Sequence, residues 1–297
     1  MVARLVYLGT PELAVAPLRA LVAAGHDIEL VVSRADRRRG RGTALSPSPV
    51  KAAALELGLA VTDRLDAIDP AVVELGVVVA YGRIIPADLL EQLPMVNLHF
   101  SLLPRWRGAA PVERAILAGD EVTGVSLMAL DEGLDTGPVY ETVAVPVDGA
   151  DLPTLAWRLV EAGTELLVHA LAGGVAGLPA PVPQQGDATY AEKLSPSDFE
   201  LHFDAPTDEL LRLVRLGRAW TRLGGRRLRV LAAEGASATP TAPGTLEGEL
   251  VSTADGALAL VSVQPEGGRP MRAADWRRGL RADGRLVLGD GDNRVGS

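Results

Sequence analysis

Over the first hundred residues, short apolar runs alternate with segments of helical periodicity, and this alternation constrains the fold more than any other feature. "ARLVYLG" is apolar and ends on Gly9. "TPELAVAPLRALVAAG" then reads as a helix, with Thr10 as N-cap, Pro11 at the first helical position, Glu12 in the first turn and Gly25 just past the end. "IELVVS" is the next strand, "SPVKAAALELG" a helix capped near Ser48, "LGVVVAYG" a third strand, "ADLLEQL" a short helix and "MVNLHF" another strand. Strands that alternate with helices are joined by crossovers, so they lie parallel in a doubly wound α/β sheet. Ligands of such sheets bind outside the carboxyl ends of the strands.

From Gly173 to Ser197 the chain turns rich in Gly, Pro and Gln, the composition of a linker wrapped over a surface. We expect an N-terminal domain over residues 1–185, a linker over 186–203 and a smaller domain over 204–297. A chain of 297 residues with 47% hydrophobic content can build a core for each domain. The second domain opens on a helical segment, "PTDELLRLVRLGRAW", with an apolar stripe at Leu210, Leu211, Leu213, Val214 and Leu216. The closely spaced short runs "RRLRVLAAE", "GTLEGELVST", "GALALVSVQ" and "GRLVLGD" follow, separated by Gly, Asp and Pro. They predict a small OB-like β-barrel, a shape that often meets oligonucleotides.

Several chemistries are disfavoured by what the chain lacks. There is no Cys, which removes disulfides, thiolate catalysis and Cys-ligated metal clusters. His26, His99, His169 and His202 are scattered, so no metal is expected. The first strand-to-helix turn, "GTPE", lacks G-x-G-x-x-G, and no G-x-x-x-x-G-K-[ST] occurs, which argues against a dinucleotide cofactor and a nucleotide phosphate loop. No continuous apolar stretch of about 18 residues is found, and a soluble cytoplasmic protein is expected.

The formal net charge of −9 is uneven. Residues 1–198 carry 15 Lys and Arg against 25 Asp and Glu; residues 199–297 carry 14 against 13. No acid interrupts the stretch from Arg212 to Arg229, and "RADRRRGRG" is a second Arg-dense run. The ordinary reading of either run is a solvated face; the alternative is a grip on a polyanion.

On a strand, residues two apart point the same way, so Asn97 and His99 in "VNLHFSLLPRWRGAAP" present their side chains to one side. An amide N–H and an imidazole N–H suit an oxygen that gains charge as a carbonyl carbon becomes tetrahedral. A carboxylate from another segment could orient the imidazole and collect a proton; Asp135, in "LDTG", is a better candidate than Asp131. The bland alternative is a hydrogen-bonded strand end and an Asp that merely forms a turn.

"NLHFSLLPRWRGAAP" together with "GLDTG", "ADRRRGRG" followed by "SPSPVK", and "PGTLEGELVSTADGALALVSVQPEGGRPMRAADW" closely resemble the methionyl-tRNA formyltransferase family across nearly the whole chain. The resemblance implies a Rossmann-like formyltransferase catalytic domain followed by a tRNA-binding barrel. It implies that the α-amino group of methionyl initiator tRNA attacks the formyl carbon of 10-formyltetrahydrofolate, releasing tetrahydrofolate. Asn97 and His99 would hold the formyl oxygen, and Asp135 would hold His99 and assist proton removal. Ser101, Leu102, Leu103 and Pro104, with Tyr81 and Ile84 in "VVVAYGRIIP", match the walls of the folate site. Arg37, Arg38, Arg39 and Arg41 match a loop that reaches the tRNA acceptor stem, and Arg222, Arg226 and Arg227 are the candidate contacts of the barrel. Family analogy implies a monomer and no metal. The alternatives are a formyltransferase acting on a small amine, such as an amino sugar, and a non-catalytic RNA-binding protein.

Overall fold

The computed structural model describes residues 1–38, 45–237, 241–280 and 286–289. The chain divides into two compact units. The first holds Met1–Val112, Glu121–Asp148 and Pro153–Glu192; the second holds Glu113–Asp120, Gly149–Leu152 and Lys193–Ser297. Residues 186–192, which the composition suggests as linker, thus belong to the first unit.

In chain order the elements up to residue 191 are β1 (Arg4–Gly9), α1 (Val15–Ala23), β2 (Asp27–Val32), β3 (Arg37–Arg38), β4 (Leu45–Ser46), α2 (Pro49–Glu56), β5 (Val61–Thr62), β6 (Leu75–Val79), α3 (Ala87–Gln92), β7 (Met95–His99), β8 (Arg107–Gly108), α4 (Pro111–Ala118), β9 (Val122–Ala129), β10 (Val139–Pro146), α5 (Leu152–Leu171) and β11 (Tyr190–Ala191). Seven of the strands form one sheet in the order β10-β9-β7-β6-β1-β2-β5. The pairs β1–β2, β1–β6, β2–β5 and β6–β7 are parallel, and β9 and β10 add an antiparallel edge. Leu5, Val6, Tyr7 and Leu8 are all fully buried, as a central strand covered on both faces requires.

Two local features depart from the sequence reading. Thr10 does not cap the first helix: its hydroxyl donates to the carbonyl of Tyr81, 3.2 Å away, and Pro11 precedes a short 3-10 turn. The ends of β1 and β6 are neighbours in the sheet, so the adjacent loop offers the nearer acceptor. The 20-residue helix α5 is not among the elements read from the sequence, although Leu155, Leu159, Leu166 and Leu167 recur at helical spacing. It lies on the sheet at Gly163, where a Cβ would come 3.0 Å from Leu98 and 3.1 Å from Val125. Ser48 does cap α2, its hydroxyl accepting the backbone N–H of Lys51 at 3.0 Å.

The second unit carries α6 (Thr207–Arg215), β12 (Trp220–Leu223), β13 (Arg226–Ala236), β14 (Thr245–Glu247), β15 (Leu250–Ser252), β16 (Ala257–Pro265), β17 (Met271–Arg272), α7 (Ala273–Gly279) and β18 (Leu286–Val287). Its antiparallel sheet runs β12-β13-β16-β15-β14-β18, with β17 on β16. Just past β18, the N–H of Gly289 donates to the carbonyl of Arg222 on β12. That bond draws the two sheet edges together into a nearly closed barrel. Leu210 and Val214 of α6 and Trp276 of α7 pack with Val230, Leu246, Val251, Leu258 and Val263 in its core. Among the described residues no helix is long and apolar enough to cross a membrane.

Candidate active site

The site lies in the first unit, where β7 ends. Asn97 and His99 lie on one face of that strand; His99 is buried and Asn97 only partly so. The ring of His99 is fixed from one side: Nε2 lies 2.9 Å from the carbonyl oxygen of Trp106. A carbonyl can only accept, so Nε2 carries the hydrogen, and in the neutral ring the lone pair is left on Nδ1. Nδ1 faces Oδ2 of Asp135 at 3.6 Å. Two acceptors facing each other at that range repel, so the pair is complementary when one proton is held between them.

Asp135 reaches this position through the turn that follows β9. Because β9 is antiparallel, with Ala129 opposite Val96, the turn leaves the sheet level with the start of β7 and must fold back to approach His99. Asp131 shapes the turn: its carboxylate accepts the Thr136 hydroxyl at 2.8 and 2.9 Å and the N–H of Gly133 at 3.1 Å. The two aspartates in "LDEGLDTG" therefore divide the work, Asp131 within the turn and Asp135 facing the imidazole. Gly137 is required by close approach, since a Cβ there would overlap the carbonyl oxygen of Ala129. Asp135 itself has φ +52, and Trp106 has φ +60, a conformation that costs L residues about 1–2 kcal/mol.

These conformations are held by a segment the sequence presented as linker. Val182 exchanges two 2.8 Å backbone hydrogen bonds with Val139. The Gln184 side-chain amide donates to the carbonyls of Asp135 (2.9 Å) and Gly137 (2.8 Å), and its oxygen accepts from Arg107 Nε (3.1 Å) and Nη2 (2.7 Å). The Thr189 hydroxyl accepts the N–H of Trp106 at 2.9 Å, and β11 pairs with β8. Gly108, on β8, donates its N–H to Asp135 Oδ2 at 2.8 Å. It has φ +115 and leaves no room for a side chain, because a Cβ would lie 3.0 Å from the carbonyl oxygen of Ala191. Trp106, Gly108, Gln184 and Thr189 were missed by sequence reasoning; composition alone could not separate a strap from a linker.

The remaining candidates are spread more widely. The Ser101 side chain is fully buried and donates to the carbonyl of Arg105 at 2.6 Å, so its hydroxyl shapes the loop. Leu102, Leu103 and Pro104 are partly buried. Tyr81 is buried in the core cluster with Val6, Leu8 and Val78, and burial pushes its phenol upward, opposed by the nearby Arg83. Ile84 is 92% exposed, and Leu134, next to Asp135, is also exposed. Two apolar side chains exposed on separate loops are what an apolar ligand surface could cover.

Arg37 and Arg38 pair through their backbones with Ser46 and Leu45. Arg39 and Arg41 lie outside the described residues. In the second unit, Arg222, Arg226 and Arg227 are exposed around the β12–β13 turn. The Arg227 guanidinium lies 4.1 Å from the centroid of Trp220 and that of Arg222 5.2 Å, while Arg218 lies 4.2 Å over Phe199. Stacked in this way, the arginines surrender less side-chain freedom on meeting an anion.

Comparison with known proteins is consistent across the chain. Residues 3–171 match the family model described as formyl transferase, and residues 193–281 match the one described as formyl transferase, C-terminal domain. The methionyl-tRNA formyltransferase of Thermobifida fusca (strain YX) is 42% identical over 310 residues, covering 97% of this chain and 98% of that protein. Among solved structures, the methionyl-tRNA formyltransferase from Clostridium thermocellum superposes with a TM-score of 0.55 at 16% identity, covering 80% of this chain and 94% of that one. An N-formyltransferase from Helicobacter canadensis, in complex with folinic acid and dTDP-3-aminofucose, superposes with a TM-score of 0.64 at 16% identity over 88% and 99% of the two chains.

Proposed function

This chain belongs to the formyltransferase family, and within it to the methionyl-tRNA formyltransferases, and from that premise we propose that it formylates the α-amino group of methionyl initiator tRNA with 10-formyltetrahydrofolate as donor. The observation that carries the reading is the 3.6 Å approach of Asp135 Oδ2 to His99 Nδ1, beside an Asn97 amide that has no hydrogen-bond partner among the described residues. The donor supplies the formyl carbon. Attack by the amine pushes charge onto the formyl oxygen, which the Asn97 N–H and an N–H on His99 Nδ1 can accept as hydrogen bonds. Since Nε2 is committed to Trp106, the imidazole can donate only through Nδ1, which faces Asp135 at 3.6 Å and is a donor when it carries a hydrogen. The Asp135 carboxylate takes the proton the amine loses as the new C–N bond forms and gives it to the departing folate nitrogen as that nitrogen's bond to the formyl carbon breaks.

Leu102, Leu103, Pro104 and exposed Ile84 would line the donor site, joined by Leu134; Ser101 and Tyr81 support it from behind. Arg37, Arg38, Arg39 and Arg41 would bind the acceptor end of the tRNA, and Arg222, Arg226 and Arg227 its backbone. The enzyme would act as a cytoplasmic monomer, with the unit that runs to Glu192 as catalytic domain and the unit that holds Lys193–Ser297 as tRNA-binding domain. The test is formyl transfer to initiator against elongator methionyl-tRNA across salt concentrations. The reading expects a strong preference for the initiator and a steep loss of affinity with salt. Transfer to a small amine with no salt dependence would overturn it.

A further inference from the structure

We propose that Gln184 is a positioning residue of the catalytic centre, a single amide that sets the separation between the His99 imidazole and the Asp135 carboxylate. The assignment rests on the reading of Asn97, His99 and Asp135 as the reacting groups. All of the hydrogen-bonding capacity of this amide is used: both N–H groups donate, to the carbonyls of Asp135 and Gly137, and the oxygen accepts twice from Arg107. Each end therefore grips a different arm of the site. One end holds the backbone of the catalytic acid itself. The other holds Arg107, which sits between Trp106, whose carbonyl fixes the imidazole, and Gly108, whose N–H fixes the carboxylate.

A merely structural role fits less well, because the strap is anchored without Gln184. The Val182–Val139 bridge lies before it; the Thr189 contacts and the β8–β11 pairing lie after it. Removing the amide should leave the strap in place and free the two arms to shift against each other. A displacement of about 1 Å at a reacting group costs on the order of 100-fold in rate.

The experiment uses the full chain with methionyl initiator tRNA and 10-formyltetrahydrofolate. Gln184→Met removes all four hydrogen bonds at nearly constant volume; Gln184→Glu keeps an acceptor for Arg107 and removes both donors. We expect each to lower kcat by about 10- to 100-fold with both KM values within about three-fold of wild type, while Gln185→Met, at the exposed neighbour, leaves kcat unchanged. Added to Asp135→Asn, Gln184→Met should cost less than about three-fold more, because groups that act as a unit are not additive. The proposal is overturned if kcat of the Gln184 variants stays within about two-fold of wild type, if the loss falls on KM, or if the full loss recurs on Asp135→Asn. Should Gln184→Met not fold, Gln184→Glu decides on the same criteria. Wild-type turnover by Asp135→Asn would instead reject the reading of the site and this proposal with it; a crippled Asp135→Asn beside an active Gln184→Met rejects the positioning role alone.

Discussion

The Nε2 of His99 donates to the carbonyl oxygen of Trp106 across 2.9 Å, which turns Nδ1 toward the Asp135 carboxylate. That leaves Nδ1 as the ring nitrogen the proposed reaction would use. A ¹⁵N-resolved spectrum of the imidazole should show a proton on Nε2 whenever the ring is neutral. His99→Ala should lower kcat by about 10²–10³-fold, the range of a lost oxyanion donor, and leave tRNA affinity unchanged in a filter-binding assay.

The two aspartates of the β9–β10 turn should behave differently. Asp135→Asn removes charge from the reacting pair and should cut kcat by about 100-fold or more with an unchanged melting midpoint. Asp131→Ala frees the Thr136 hydroxyl and the Gly133 N–H, so it should lower both the melting midpoint and kcat, the stability loss being about 1–3 kcal/mol. Calorimetry run beside the kinetic assay separates the two.

Arg222→Ala and Arg227→Ala should each raise the KM for tRNA by several-fold and reduce the slope of log affinity against log salt by about one. The KM for the folate donor should not move. A variant that alters both substrates equally would show that these arginines stabilise the barrel rather than bind RNA.

Burial, and secondarily the positive charge of the N-terminus, push the His26 imidazole below its ordinary value. Its Nδ1 accepts the backbone N–H of Ala3 at 3.3 Å, which only an unprotonated Nδ1 can do. The folded chain therefore binds this proton less readily than the unfolded chain. The stabilisation is complete above the unfolded value of about 6.5 and is lost as pH falls toward the lower folded value. Melting midpoints measured from pH 7.5 to 5 should fall, and His26→Gln should flatten that decline while lowering the midpoint at pH 7.5.

The parts of this molecule legible in its sequence are those in which physics acts locally. The period of two in "VNLH" put Asn97 and His99 on one face, and the Gly-punctuated turn singled out Asp135. What stayed hidden depends on distant partners. Gln184 lies 49 residues from Asp135, and Thr189 lies 83 from Trp106. No window of periodicity spans such distances, and a Pro- and Gln-rich strap has the same composition as a free linker. Thr10 shows the converse error, where a sound local rule for a helix cap lost to an acceptor on the neighbouring loop.

The order of the chain also matters for how the enzyme comes into being. His99, Trp106 and Asp135 leave the ribosome well before Gln184 and Thr189, so for part of synthesis the imidazole and the carboxylate exist without the segment that fixes them. An enzyme that serves initiation would thus become competent late in its own translation, only once residue 191 has emerged and β11 has paired with β8. Nascent chains arrested before and after that point should differ in activity far more than in the secondary structure they have already formed.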